Sequence, residues 1–308
     1  MNKLTFAVIG NSNIVNRRIL NALSKLRRSF RLVLISRNKI IDRNKAFEAV
    51  YTSVEDAINS ELIKYAYVST PNGLHYESCN KLLKNGINVF VDKPSVLLES
   101  QMLDLINSAR KNNCFISQSL VYYYHSVWSE IYRLINSKKL LGARSTFTIP
   151  RLPSENFRNQ IELGGGVFND MGPYFTDICE RLSGSKIKTV NSNYDGQNIF
   201  SPIFLQITFE NKMTFQAVHG FNLPYQNKLE LMFEDERYEV ERIFSPPEDI
   251  PLELKKFSYG GMEVKNFGPD DTFFNYFQEI LELEDSKNTE AILKVFLRQN
   301  QNFFKIGR

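Results

Sequence analysis

Short apolar runs alternate with amphipathic stretches over roughly the first 120 residues, and nothing else in the chain restricts its fold as much. Leu4–Ile9, Leu32–Ile35, Ala66–Ser69, Asn88–Val91 and Cys114–Gln118 are short, rich in β-branched or aromatic residues and bounded by turn residues. Buried strands have that signature. Between them the spacing predicts helices near 13–27, 73–84 and 99–111, the last carrying an apolar stripe of Met102, Leu103, Leu105, Ile106 and Ala109. Strand–helix alternation implies right-handed crossovers and a doubly wound parallel sheet, whose ligands bind beyond the carboxyl ends of the strands.

The second half reads differently. Ser145–Ile149, Ile187–Asn191, Phe204–Phe209, Thr214–His219, Leu229–Phe233 and Tyr238–Arg242 follow one another with turns between them. Such a series predicts a largely antiparallel open sheet. One helix near 167–182 interrupts it, and helices near 271–284 and 288–304 close the chain. Pro246, Pro247 and Pro251 mark a loop. The expected organisation is an α/β domain over 1–120 and an α+β domain over 121–308, the latter serving substrate binding and oligomerisation.

Composition narrows the class. The 308 residues are 43% hydrophobic and 23% charged, which excludes a disordered chain. No apolar run approaches the ~18–20 residues of a membrane helix, and Leu4–Ile9 is too short for a signal peptide, so a cytoplasmic address is expected without a membrane partner. Cys79, Cys114 and Cys179 lie far apart and read as buried free thiols. His125 and His219 have no metal-like spacing with them, so no metal is expected. The net charge of +4 is mild, and Arg17, Arg18, Lys25, Arg27, Arg28 and Arg31 read as a solvated helix face, which leaves no case for nucleic acid.

The first strand ends in Gly10-Asn11-Ser12-Asn13-Ile14-Val15, where a dinucleotide-binding turn would read G-x-G-x-x-G. Only the first glycine is present. The turn would still offer a helix N-terminus to a pyrophosphate through Gly10, Ser12, Asn13 and Ile14. An ordinary strand–turn–helix capped by Ser12 or Asn13 accounts for these residues about as well. After the second strand, where an NAD site carries a carboxylate, the chain has Ser36 and Arg37. A serine and an arginine suit a 2′-phosphate, which favours NADP(H) over NAD, although Arg37 also suits an exposed turn. Two more segments fall at strand carboxyl ends, Thr70-Pro71-Asn72 with His75 and then Asp92-Lys93-Pro94, and the Lys93–Pro94 bond is a candidate for the cis form.

These segments, followed by Gly164-Gly165-Gly166 and by Asp170, Gly172, Tyr174 and Asp177, resemble the glucose–fructose oxidoreductase/inositol dehydrogenase/MocA-like (Gfo/Idh/MocA) family. Its members carry TPNxxH, an EKP-like tripeptide and GGGxxxDxGxHxxD in that order. The resemblance covers nearly the whole chain and implies an N-terminal Rossmann domain. It further implies that Thr70, Pro71, Asn72 and His75 line the nicotinamide end, that Asp92 and Lys93 belong to the cofactor site with Lys93 contacting the reacting oxygen, and that Asp170 helps position substrate. Gly142 fits the turn into the second-domain sheet. The chain departs from the pattern at Asp92, in its glycine turn, and at Tyr174, where a catalytic histidine is usual.

A tyrosine there resembles the sugar ketoreductases of the family. Its hydroxyl can donate a proton to a developing alkoxide, with a lysine ammonium lowering its pKa. Asp170, Tyr174 and Asp177 are spaced to share one helix face, unless Pro173 starts the helix and leaves Asp170 outside it. Asp177, Tyr122 and Arg158 are further candidates for substrate contact, although Tyr122 also suits a core and Arg158 a solvated loop. The expected function is NADP(H)-dependent hydride transfer to a sugar carbon, with a nucleotide-linked keto-sugar as substrate and a homodimer or homotetramer as the assembly. A non-catalytic dinucleotide sensor, or a dehydrogenase of a free sugar or polyol, are the alternatives.

Overall fold

Parallel pairing organises the N-terminal half as the alternation requires. β1 (Leu4–Ile9) runs into a turn, a π-helical segment (Val15–Ile19) and α1 (Leu20–Lys25). There follow β2 (Phe30–Ile35), β3 (Ala49–Tyr51), α2 (Val54–Ser60), β4 (Ile63–Val68), α3 (His75–Lys84), β5 (Asn88–Val91), α4 (Glu99–Lys111) and β6 (Ile116–Gln118). The sheet order is β3-β2-β1-β4-β5-β6 and every pairing is parallel. The order reverses between β1 and β4, so the turns after these two strands flank the ligand-binding position of such a sheet. This is a computed structural model that describes residues 3–37, 46–194, 196 and 198–307.

The chain divides into two units. The first holds Met1–Leu120, Glu162–Gly164 and Phe273–Gln301, and the second holds Val121–Ile161, Gly165–Thr272 and Asn302–Arg308. The expected second domain, 121–308, is therefore corrected at its end. α7 (Thr272–Asp285) and most of α8 (Thr289–Ile306) belong with the parallel sheet. Phe277 of α7 sets its ring 5.0 Å from Phe90, 5.9 Å from Tyr67 and 6.3 Å from Phe6. Arg28 forks onto Asp285, and Tyr65 donates to Glu284. An apolar helix stripe does not announce which sheet it will cover, and here it covers the first.

In the second unit, α5 (Val127–Ser137) precedes β7 (Gly142–Thr148) and α6 (Val167–Ser183). The remaining strands are β8 (Ile187–Ser192), β9 (Ile203–Phe209), β10 (Thr214–Gly220), β11 (Gln226–Met232), β12 (Glu236–Glu241), β13 (Leu252–Ser258) and β14 (Gly261–Phe267). Their order is β14-β13-β12-β11-β7-β10-β9-β8. All pairs are antiparallel except β7 with β10, so the sheet is mixed. α6 packs on β7, β9 and β10. Strict alternation in β9 buries Ile203, Leu205, Ile207 and Phe209 and leaves Phe204 and Gln206 outside. The three cysteines are free and buried, as expected, and among the described residues no helix is long and apolar enough to cross a membrane.

Candidate functional site

The turn after β1 explains why one glycine suffices. Gly10 has φ +91°, and a Cβ there would stand 2.5 Å from the Ser69 carbonyl oxygen. Ser12 and Val15, at the positions of the other two motif glycines, do not adopt positive φ. The Ser12 hydroxyl folds back onto the protein, 2.7 Å from Ser69 Oγ, and accepts the Val15 amide at 3.3 Å. It is thus the cap of the helical segment. Val15 is fully buried, and the helix widens there into its π-helical segment. Asn13 and Ile14 provide the first amides of the helix. At the end of β2, Ser36 donates its amide to Tyr51 O, and Arg37 is exposed.

The loops after β4 and β5 are tied to one another. Asp92 accepts hydrogen bonds on both carboxylate oxygens, from Tyr67 and from Ser69. Burial and the neighbouring Asp92 push the Tyr67 phenol well above its ordinary value, so it keeps the proton it donates. His75 is fully buried, with Nδ1 2.8 Å from Pro94 O and Nε2 2.7 Å from Thr70 O. Ser95 donates its amide to Gln118 Oε1 at 2.8 Å and its hydroxyl to Asn300 Oδ1 at 3.0 Å. The Lys93–Pro94 bond is cis. Lys93 therefore stands on a loop held on both sides, by β4 through Asp92 and by α3, β6 and α8 through Pro94 and Ser95.

His75 and Asp92, expected to line the cofactor, spend their polar atoms on these loops instead. Asn72 is buried and donates to Gly164 O at 3.0 Å. Thr70 Oγ1 is buried without a hydrogen-bond partner among the described residues. A positive-φ glycine turn feeding a helix N-terminus, that partnerless hydroxyl beside it and the exposed Arg37 are a donor set that fits a phosphorylated dinucleotide.

In the second unit, α6 runs through Pro173 without ending, so Asp170, Tyr174 and Asp177 do lie on one helix. Its entry depends on glycine: a Cβ on Gly165 would fall 2.5 Å from Arg158 O and 2.6 Å from Gln160 O. Tyr174 is half-buried, and its ring is fixed by Phe147 at 5.3 Å, Phe244 at 5.5 Å and Tyr122 at 6.1 Å. Asp170 is 5% exposed and pairs with Arg158 Nε at 2.9 Å, so the candidate substrate arginine and the candidate positioning carboxylate hold each other.

The expectation that Asp177 and Tyr122 touch substrate is corrected. Both are fully buried. Tyr122 Oη donates to Asp177 Oδ2 at 2.6 Å, and Arg181 Nε donates to the same oxygen at 2.5 Å. The Arg181 guanidinium lies 3.4 Å from the Tyr123 ring centroid. No sequence motif marks Arg181, Ser69 or Tyr67 for these roles. An arginine one turn after Asp177 was the available signal for the first, and the other two look like ordinary strand residues.

His75, His125 and His219, the chain's three histidines, are all buried. Burial holds each below the ordinary imidazole value, His219 down to about 3. The native protein keeps His219 neutral down to that value, whereas the unfolded chain protonates it near pH ~6.5. The unfolded state thus takes up protons first as pH falls, and stability is lost from about pH 6.5 downward. His219 alone accounts for about 2 kcal/mol at pH 5. Thermal melts should fall between pH 7.5 and pH 5, and fall less in His219→Gln. Equal falls in the two proteins would remove His219 from the acid response.

Comparison with known proteins places these motifs. Residues 4–119 match the oxidoreductase family with an NAD-binding Rossmann fold, GFO/IDH/MocA, and residues 134–240 match the C-terminal domain of that family. The chain belongs to the Gfo/Idh/MocA oxidoreductases. Two similar relatives are dTDP-3,4-didehydro-2,6-dideoxy-α-D-glucose 3-reductases. The one from Saccharopolyspora spinosa is 28% identical over 193 residues, 60% of this chain and 58% of the relative. The one from Streptomyces antibioticus is 22% identical over 290 residues, 91% of this chain and 88% of the relative. A 3-ketoreductase from Actinomadura kijaniata, crystallised with NADP and TDP-benzene, superposes with a TM-score of 0.86 at 21% identity, covering 97% of this chain and 95% of that one. The superposition establishes that this Gfo/Idh/MocA protein shares the fold of that enzyme.

Proposed function

We propose that this protein is an NADP(H)-dependent reductase of a nucleotide-linked keto-sugar. The observation that carries the reading is Tyr174, a half-exposed hydroxyl-bearing ring fixed by three aromatic neighbours on the motif helix, where the family pattern has its histidine. The activity of the two 3-reductases and the NADP bound to the superposed ketoreductase support the substrate class and the cofactor. The bound cofactor would supply a hydride from nicotinamide C4. Tyr174 would donate the proton to the oxygen of the reduced carbonyl, and Lys93 would polarise that carbonyl and favour the tyrosinate left behind.

Asp170, steadied by Arg158, would orient the sugar. Gly10, Ser12, Asn13 and Ile14 would hold the pyrophosphate, Ser36 and Arg37 the 2′-phosphate, and Thr70, Pro71 and Asn72 the nicotinamide end. We extend the proposal to a cytoplasmic homodimer or homotetramer, to be measured by light scattering.

The test is a titration with NADPH and NADH followed by nicotinamide fluorescence, and then NADPH consumption with a dTDP-linked 3-keto-deoxysugar. NADPH should bind more tightly and be consumed. Binding without consumption of NADPH by any keto-sugar would instead make the protein a dinucleotide-binding regulator. Arg37→Ala should weaken NADPH by tenfold or more, about the scale of a charge-assisted pair, and leave NADH nearly unchanged. Equal losses for both would remove Arg37 from the 2′-phosphate.

A further inference from the structure

A line of hydrogen bonds runs from the dinucleotide turn to the residue in front of Lys93, and its polarity is fixed. Ser69 donates its one hydroxyl proton to Asp92 Oδ2. In the 2.7 Å contact between the two serines Ser69 must therefore accept, and Ser12 donate. The Ser12 oxygen in turn accepts the Val15 amide at 3.3 Å, from the first turn of the helix whose N-terminus would face the pyrophosphate. Read in order, the line is Val15 N–H, Ser12 hydroxyl, Ser69 hydroxyl, Asp92 carboxylate. Tyr67 occupies the other carboxylate oxygen, so Asp92 is gripped at both ends. A unidirectional chain of this kind strengthens each of its members.

Ser12 stands where the G-x-G-x-x-G pattern has its second glycine, and a glycine has no side chain with which to make this link. We propose that Ser12 and Ser69 are positioning residues that couple the dinucleotide turn to the Asp92-Lys93-Pro94 loop, so that the state of the turn sets the position of the Lys93 ammonium. The departure from the glycine pattern is on this account a gain of coupling. As far as catalysis is concerned, the proposal rests on the role given above to Lys93. The coupling itself lies within one unit and does not depend on which substrate is reduced.

The test restores the glycine. Ser12→Gly keeps the backbone amide offered to the pyrophosphate and removes only the hydroxyl, so it should lower kcat about fivefold, the scale of a neutral hydrogen bond, while the Kd for NADPH stays within about twofold. Ser12→Thr, which keeps the hydroxyl, should retain most of kcat. Ser69→Ala, which also removes the bond to the Asp92 carboxylate, should lower kcat at least as much, and the double variant should be no slower than Ser69→Ala alone, because both cut the same line. A second readout needs no turnover: reductive methylation of Lys93, followed by peptide mass spectrometry in the presence and absence of NADPH. In the wild type NADPH should change the labelling rate of Lys93 several-fold, and in Ser12→Gly that response should largely vanish.

An unchanged kcat with an unchanged labelling response in Ser12→Gly overturns the proposal, as do multiplicative losses in the double variant. A change confined to NADPH affinity also overturns it, since Ser12 is then only a cap or a phosphate contact. If no keto-sugar is reduced by the wild type but the labelling response still disappears in Ser12→Gly, the coupling stands and the reductase reading falls.

Discussion

Tyr174→Phe should lower kcat by about 10²-fold or more, the usual contribution of a positioned general acid, with the Kd for NADPH essentially unchanged. The substitution removes one oxygen and leaves the ring. Its contacts with Phe147 at 5.3 Å, Phe244 at 5.5 Å and Tyr122 at 6.1 Å survive, so the helix and its neighbours have no reason to move. Stability should stay within about 1 kcal/mol, since the ring and its packing are retained. The loss should therefore appear in kcat and kcat/KM together, as it does when an interaction belongs to the transition state. Rapid mixing of enzyme, NADPH and a dTDP-keto-sugar, with nicotinamide absorbance followed over a single turnover, separates the chemical step from product release. A variant that reduces the sugar at the wild-type rate would take proton donation away from Tyr174. The acid would then have to be sought at Lys93 or at an ordered water.

The contrast between what could be read in the residues and what could not follows how local each determinant is. β1 and β5 have the limits their apolar runs indicate, because a buried parallel strand writes its whole length as hydrophobic sequence. The motif loops sit at strand carboxyl ends, and Asp170 and Tyr174 share α6, as their spacing indicates. β3 has only three residues and α2 only seven, too few for periodicity to stand out, although Ser53 caps α2 by accepting the Asp56 amide at 3.0 Å. β14 is exposed along nearly its whole length and carries no alternation that a core would impose. α5 has regular apolar positions, but the run Tyr122, Tyr123 and Tyr124 immediately before it obscures where that pattern starts. The destination of α7 was not legible either, since which sheet an apolar stripe covers is a long-range choice. The same holds for the site. A residue type at a motif position announces chemistry, but whether Asp177 faces solvent or a buried arginine is decided by packing.

That last distinction yields the largest expected effect on stability. Asp177→Ala should cost about 3–5 kcal/mol, the scale for breaking a buried ion pair by removing one partner. The Asp177 and Arg181 side chains are 1% and 9% exposed, and the Arg181 guanidinium gains its charge compensation chiefly from Asp177. Without the carboxylate, Arg181 keeps the face of Tyr123 and the Tyr132 hydroxyl at 3.1 Å, while Tyr122 loses the acceptor for its buried hydroxyl. Tyr122→Phe should cost much less, on the order of 1 kcal/mol, because it removes a donor and leaves the ion pair intact. Asp177 Oδ1 and Arg181 Nη2 lack hydrogen-bond partners among the described residues, so the pair is itself imperfectly compensated. Replacing both members, as Asp177→Leu with Arg181→Met, should therefore recover much of the loss and can equal the wild type. Urea denaturation of the four proteins measures these differences, and the order expected is Asp177→Ala far below Tyr122→Phe, with the double variant between the wild type and Asp177→Ala. A substrate-contacting aspartate predicts the reverse pattern: Asp177→Asn or Asp177→Ala would raise KM for the sugar at nearly unchanged stability. That outcome would return Asp177 to the substrate and overturn its assignment to the support beneath Tyr174, whose ring rests on the Tyr122 that Asp177 holds.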